Sequence, residues 1–290
     1  LIGEVLYDFP SPNYGPPEQG LAFTKDLIRA WENDPLVSVA VEPHAVYTCS
    51  PDLLRACNEV AEEYQVPMII HLSESEDEVA QVKELYDTSP VMHLEKLGLL
   101  TPHLIADHCV VLDDEEMDLL AERGVRVVHN PESNMKLASG VAPAVELLDR
   151  GVTMGLGTDG CASNNNLDMF GEMDTAAKVH KVYRLDPTVM GARTVAQLAV
   201  RGGSQVLGLE KQVGCLGTGK KADIIGLDLD RPHLTPLYNI YSHLVYAASA
   251  ADVILNIING RVVMRNRELL TLDVERIMAD VRAIAKRIKQ

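Results

Sequence analysis

His44, His71, His108, His129 and Asp159 recur along the first part of the chain, each at or near the end of a short apolar run. The gaps between them are each close to one strand-plus-helix unit, which is about 30 residues in an eight-unit parallel barrel. The richest stretch is Pro67-Met-Ile-Ile-His71-Leu-Ser-Glu74, a buried-type strand followed by an imidazole and, three residues on, a carboxylate. His71 and Asp159, both at carboxyl ends of barrel strands, could converge on one ion. Imidazole nitrogen plus carboxylate oxygen suits zinc or a similar divalent metal. Glu74, held beside the metal without binding it, could act as general acid/base on a water whose pKa falls to about 7. His108 could orient that water or stabilise its charge, and His44 could contact substrate.

Each residue alone has a plainer explanation. His71 and His108 could be hydrogen-bonded core histidines, Asp159 a turn residue before Gly160, and Glu74 a solvated residue ahead of Glu76-Asp-Glu78. His129, before Asn130-Pro131, reads as structural. His93, His103, His180, His233 and His243 fall on helices or loops with no partner in view. Cys109 and Cys161 flank site positions without a triad and read as small packing residues. The weight lies in the joint pattern: four successive strands each end in or beside a His or Asp, and one carries His-x-x-Glu.

Positioning these residues requires alternating strands and helices. Strands are expected over Leu1–Phe9, Val37–Val41, Pro67–His71, Leu104–Val110, Val125–His129 and Thr153–Thr158. Helices are expected over Leu21–Asn33, from Ser50-Pro51-Asp52 to about Tyr64, and over Glu76–Tyr86, His93–Gly98, Asp113–Arg123 and Val141–Asp149. Such alternation implies a parallel sheet. No glycine-rich phosphate fingerprint follows a strand, so a barrel is preferred to a doubly wound sheet. Beyond Asp159 come two long helices, Leu167–Tyr183 and Thr194–Leu209, the second broken near Arg201-Gly-Gly203. A small β module follows, with a hairpin turning at Asn259-Gly260, then an amphipathic tail helix over Asp273–Lys289. The expected fold is α/β, a TIM-like (β/α)8 metal-dependent hydrolase barrel with about six units present in residues 1–211. Residues 212–290 would be a β-sandwich-forming segment with the tail helix.

The formal charge is −16, from 42 acidic against 26 basic residues, which argues against a nucleic-acid backbone or an anionic membrane as partner. No apolar run reaches the roughly 18 residues of a membrane span. Five scattered cysteines suit a reducing cytoplasm better than a disulfide framework. A homo-oligomer is left open, since the sequence does not give the oligomeric state.

His71-Leu-Ser-Glu74, Asp107-His-Cys109, His129-Asn-Pro-Glu-Ser-Asn-Met-Lys136 and Gly157-Thr-Asp-Gly-Cys-Ala-Ser-Asn164 together resemble the amidohydrolase superfamily. The branch they resemble is that of the 5-methylthioadenosine/S-adenosylhomocysteine deaminases and their chlorohydrolase relatives. Pro43-His44-Ala-Val-Tyr-Thr-Cys-Ser50 and Gly217-Thr-Gly-Lys-Lys-Ala-Asp223 fit the same branch. The resemblance implies that His71 and Asp159 bind one Zn2+ (or Fe2+) and that Asp159 also accepts the water's proton. It implies that Glu74 shuttles a proton and touches the purine ring, that His108 lies beside the hydrolytic water, and that His44 contacts substrate. The implied reaction is hydrolytic deamination of an adenosine-type nucleoside.

Two departures follow. The family's His-x-His pair has no counterpart, because no His precedes His44. The visible strands would then be the third to eighth, and this chain is expected to be a C-terminal portion whose N-terminal segment lies elsewhere. The family's arginines for a substrate carboxylate would also fall before His44, where Arg29 stands alone on a helix. Two rival readings remain: a chlorohydrolase or aminohydrolase acting on a triazine or another base, and a chain inactive without its missing part.

Overall fold

The computed structural model describes residues 1–288. Val5–Leu6 (β1) pairs in parallel with Glu42–Pro43 (β2), and bridges Val41–Met68 and Ala45–His71 set β2 beside Met68–Leu72 (β3). Beyond β3 lie Leu104–His108 (β4), Arg126–His129 (β5) and Met154–Leu156 (β6), each parallel to the one before. The register sets His71 opposite Asp107 and Leu72 opposite His108, so the polar strand ends line up along one edge. β3, β4 and β6 are apolar because helices and neighbouring strands cover them. Ile70, Leu72, Leu104, Ile105 and Met154 are all buried.

Helices separate the strands. Gly20–Trp31 (α1) follows β1 and Pro51–Tyr64 (α2) follows β2; Glu76–Tyr86 (α3) and Pro90–Lys96 (α4) follow β3. Asp114–Arg123 (α5) follows β4, Pro131–Lys136 (α6) and Ala144–Asp149 (α7) follow β5, and Cys161–Asn164 (α8) and Met169–Arg184 (α9) follow β6. Local sequence explains the starts. Ser50, Ser75, Ser89 and Asp113 each accept a hydrogen bond from a first-turn amide of their helices, and Pro51 and Pro90 stand where no amide donor is needed. The chain is thus an α/β protein with a parallel sheet, as the alternation implies.

Several boundaries differ from expectation. The first strand shrinks from Leu1–Phe9 to Val5–Leu6, with a lone bridge from Ile2 to Val39. β1 pairs on one side with a strand only two residues long, so little holds its ends extended. The second strand forms at Glu42–Pro43 rather than over Val37–Val41, where the contacts are single bridges at Val39 and Val41. The helix expected from Val141 starts at Ala144, after Pro143, whose lack of an N–H suits the cap.

The break expected near Arg201-Gly-Gly203 is instead a wide turn. Ala192–Gln197 (α10) passes into a π-turn at Leu198–Gly202 and on into Gly203–Val206 (α11). The extra residue brings Gly202 against β6. A β-carbon there would lie 2.2 Å from the Met154 carbonyl oxygen. Gly202→Ala should therefore lower stability by on the order of 2 kcal/mol. Urea unfolding would measure the loss, and a midpoint matching wild type would contradict the close approach.

The C-terminal strands form their own antiparallel sheet. Its order is Glu268–Leu269 (β10), Arg261–Arg265 (β9), Val253–Ile258 (β8), Ile224–Leu227 (β7). Asn259 and Gly260 both take positive φ, +47° and +79°, which a two-residue turn of this hand requires. Ile240–Tyr246 (α12) packs on α10. The tail helix, Val274–Ile288 (α13), has Asp273 accepting from the Arg276 amide as its cap. Its expected last residue, Lys289, lies outside the described residues. No helix among them is long and apolar enough to cross a membrane.

Candidate active site

The polar groups gather where β3, β4, β5 and β6 run out. His71 leads the set. Its Nδ1 lies 2.8 Å from the His44 carbonyl oxygen, which can only accept, so Nδ1 carries the proton. Nε2 is left with its lone pair free, the tautomer a metal-binding histidine needs. The His71 and His108 rings stack at 5.5 Å between centroids, and His44 lies 4.9 Å from His71 on the other side.

His108 is buried to 1 % exposure. Its Nδ1 donates to Asn134 Oδ1 at 2.8 Å, which turns Nε2 toward Asp159 Oδ2, 3.9 Å away. Burial lowers its pKa against the pull of Glu74 and the Asn134 bond, which favours the neutral ring. Asp159 is held by three donors: Ser133 Oγ at 2.7 Å and Ser163 Oγ at 2.6 Å to Oδ2, and the Gly160 amide at 2.6 Å to Oδ1. Burial alone would raise its pKa. The serine and amide bonds outweigh that and hold the carboxyl below its ordinary value.

These positions are strained. Ser73, His108, Cys109 and Asp159 have φ of +51°, +72°, +49° and +58°. Left-handed backbone costs about 1 kcal/mol or more at a non-glycine residue. Other residues of this kind sit at helix ends and turns, such as Gln65, Asp87 and Leu185, whereas these four lie where the parallel strands run out.

Glu74 stands in the loop between β3 and α3, and its charge acts on both His108 and Asp107. Glu78, in the first turn of α3, fixes that loop. Its carboxylate accepts from the Ser73 amide at 3.1 Å and from the Glu74 amide at 2.6 Å. Burial raises the Glu78 pKa to about 7, against those two bonds.

The stability consequence has a definite sign. Below the unfolded value of 4.5 the carboxyl is protonated folded and unfolded, and its burial carries no charge penalty. Between there and about 7 the unfolded chain ionises first, so folding weakens as pH rises. Glu78→Gln removes that loss. Relative to wild type it should gain on the order of 2 kcal/mol between pH 5 and pH 8, read from denaturant midpoints at the two pH values. A wild-type-minus-variant difference that stays flat across that range would refute the shift.

His44 is part-buried. Its Nδ1 lies 2.8 Å from Thr48 Oγ1, which itself donates to the Ala45 carbonyl. His44 therefore donates to Thr48 and presents Nε2 as an acceptor. Burial, then His71, lowers its pKa to about 4.

Sequence reasoning passed over several groups. Glu42 and Asp107 flank His71, and burial raises both carboxyls above their ordinary values. Glu42 sits in the same strand-end rank as His44, a signal that was there to use. Ser133 and Asn134, adjacent on α6 and both buried, clamp Asp159 and His108; a hydroxyl and an amide carry no spacing signature. His180, assigned no partner from sequence, places its Nε2 3.0 Å from His129 Nε2, and burial keeps both rings neutral. His93 packs its ring 4.0 Å from Tyr86, and His233 reaches Asp252 at 3.0 Å, so these too have partners. Cys109 is buried as expected, whereas Cys161 is exposed and packs no core.

The donors present make part of a metal site. Among the described residues no three His, Cys, Asp or Glu side chains gather as a metal-binding group, and a catalytic zinc takes three protein ligands. His71 and Asp159 fit two of those places by donor type and tautomer.

The curated 5-methylthioadenosine/S-adenosylhomocysteine deaminase of Syntrophobacter fumaroxidans is 60% identical over the whole of this chain. One so named from Syntrophus aciditrophicus is 54% identical. The chain spans 66% of the length of each. Among solved structures, an adenosine deaminase from Xanthomonas campestris with bound zinc matches at a TM-score of 0.97 and 39% identity, over 100% of this chain and 66% of that one. An atrazine chlorohydrolase from Arthrobacter aurescens, complexed with zinc, matches at 0.85 and 28% identity over 92% of this chain and 59% of that one. The model of the amidohydrolase family matches residues 3–263, a span that takes in all six parallel strands and every group placed above: the chain belongs to the amidohydrolase family.

Proposed function

We propose that this chain forms the larger part of a metal-dependent hydrolytic deaminase of adenosine-type nucleosides. The observation that carries this reading is the shared edge. His71 with its Nε2 free, His108 turned onto Asp159, and Glu74 acting on both His108 and Asp107 stand at the ends of neighbouring strands. The names of its relatives point to the same reaction.

His71 and Asp159 would hold a divalent ion, zinc by analogy with the solved relatives. Their remaining partners would come from the third of the family length that this chain does not span, which would also complete the eight-unit barrel. Residues 1–211 would then be the barrel portion and 212–290 a β-sandwich-forming segment. When bound, such an ion lowers the pKa of water and polarises it for attack.

The chain's own groups do the rest. Asp159, kept ionised by Ser133, Ser163 and Gly160, takes a proton from the attacking water. His108 offers Nε2 to the same water and is kept in register by Asn134. Glu74 passes a proton toward the purine ring nitrogen. The carbon–oxygen bond forms, the proton held by Asp159 passes to the amino group, the carbon–amino bond breaks, and ammonia leaves with the inosine-type product. His44 accepts a hydrogen bond from a substrate hydroxyl.

The test is metal content and ultraviolet loss of adenosine-type substrate, measured with the chain alone and with its missing segment supplied. Zinc near one per chain with nucleoside deamination supports the proposal. Loaded protein that leaves nucleosides intact but removes chloride from a triazine would favour the chlorohydrolase reading, to which the Arthrobacter structure gives some support.

A further inference from the structure

An aromatic ladder leads from the buried groups to the surface. Starting at His108, the rings run through His71 and His44 to Tyr7, 4.9 Å from His44, and to Phe9, stacked on Tyr7 at 4.5 Å. Tyr47 meets His44 edge-on at 6.0 Å. Exposure rises along the way, from 1% at His108 to 37% at Tyr47 and 48% at Phe9.

The outer rings are fastened in place. Tyr7 and Phe9 share a face because their rings stack across the bend that follows β1, where Asp8 stands between them. Asp8 accepts from the amide and the hydroxyl of Ser50 at the start of α2, and its own amide donates to the Thr48 carbonyl at 3.1 Å. Thr48 is also the partner of His44. The Tyr7 amide donates to the Tyr14 hydroxyl at 3.1 Å. Carboxylates are among the groups that act on these tyrosines: Glu4 on Tyr7, behind Tyr14 and Cys49, and Glu78 and Glu74 on Tyr47.

We propose that Tyr7, Phe9 and Tyr47 form the subsite for the nucleoside's 5′ substituent, and that it selects a small uncharged thioether over a substituent bearing a carboxylate. This rests on the deaminase reading. The reacting carbon must lie by His71, His108 and Asp159, so the ladder is the aromatic path along which the far end of the nucleoside leaves the site. A thioether sulfur gains from ring edges at about 5 Å. A carboxylate would enter the field of Glu4, Asp8, Glu74 and Glu78.

The experiment is calorimetric titration of adenosine, 5′-methylthioadenosine and S-adenosylhomocysteine into zinc-loaded Glu74→Gln protein, with the remaining third of the family length supplied; the substitution suppresses turnover. The same titrations are made with Phe9→Ala and Tyr47→Ala added. Methylthioadenosine should bind about tenfold more tightly than adenosine and more tightly than S-adenosylhomocysteine. The added pair should bring the methylthioadenosine-to-adenosine ratio to near one while melting stays as in the parent, since both rings are solvent-exposed, and should leave S-adenosylhomocysteine the weaker ligand, because the carboxylates remain. A preference for methylthioadenosine over adenosine that survives the pair, or S-adenosylhomocysteine binding as tightly as methylthioadenosine in the parent, overturns the subsite and leaves the deaminase reading standing. Failure of all three nucleosides to bind overturns both.

Discussion

Asp159→Asn is expected to cut the rate of nucleoside deamination by roughly 10³-fold or more and to strip the metal with it. Three donors converge on this carboxylate, from Ser133, Ser163 and Gly160, and an asparagine keeps all three partners only if both hydroxyls turn to accept. Its amide nitrogen would face either the two hydroxyls or the Gly160 N–H, and the hydroxyls can turn to accept whereas the backbone cannot. The charge that would bind the ion and take the water's proton is lost in any orientation. Turnover measured alongside zinc per chain reads both losses. Activity within tenfold of wild type would remove Asp159 from the reaction.

Glu74→Gln should lower kcat by roughly 10²–10⁴-fold, the usual contribution of a general acid/base, but should leave bound zinc at the wild-type level. The contrast follows from position. Glu74 stands in the β3–α3 loop, its amide held by Glu78, and reaches the site by its charge on His108 and Asp107. Asp159 carries both duties and Glu74 one. A Glu74→Gln protein that lost its zinc would make Glu74 a ligand, and one with undiminished kcat would end its role as proton carrier.

The sequence showed the rhythm of the fold and its principal groups for physical reasons that differ from those behind its omissions. Strands covered on both faces are written as apolar runs, so β3, β4, β5 and β6 stand out, and a His or Asp at the end of such a run is conspicuous. Short edge strands leave no such mark. β1 and β2 hold two residues each, set by which backbone finds a neighbour rather than by composition. The π-turn before Gly202 was read as a break because Gly-Gly ordinarily weakens a helix. Here the absent side chain admits the Met154 carbonyl. The supporting groups were the hardest to see. Ser133, Asn134 and Glu78 are ordinary surface-type residues by letter, and their importance comes from being buried against Asp159, His108 and the Glu74 amide.

The most direct test is a zinc-edge anomalous difference map from crystals of the zinc-loaded protein, with the part of the family length that this chain does not span supplied if loading requires it. The ion should lie about 2.0–2.2 Å from His71 Nε2 and from an Asp159 carboxylate oxygen, with the Glu74 carboxyl beside it and unbonded. A zinc peak bound elsewhere, with His71 and Asp159 both unligated, would contradict the account.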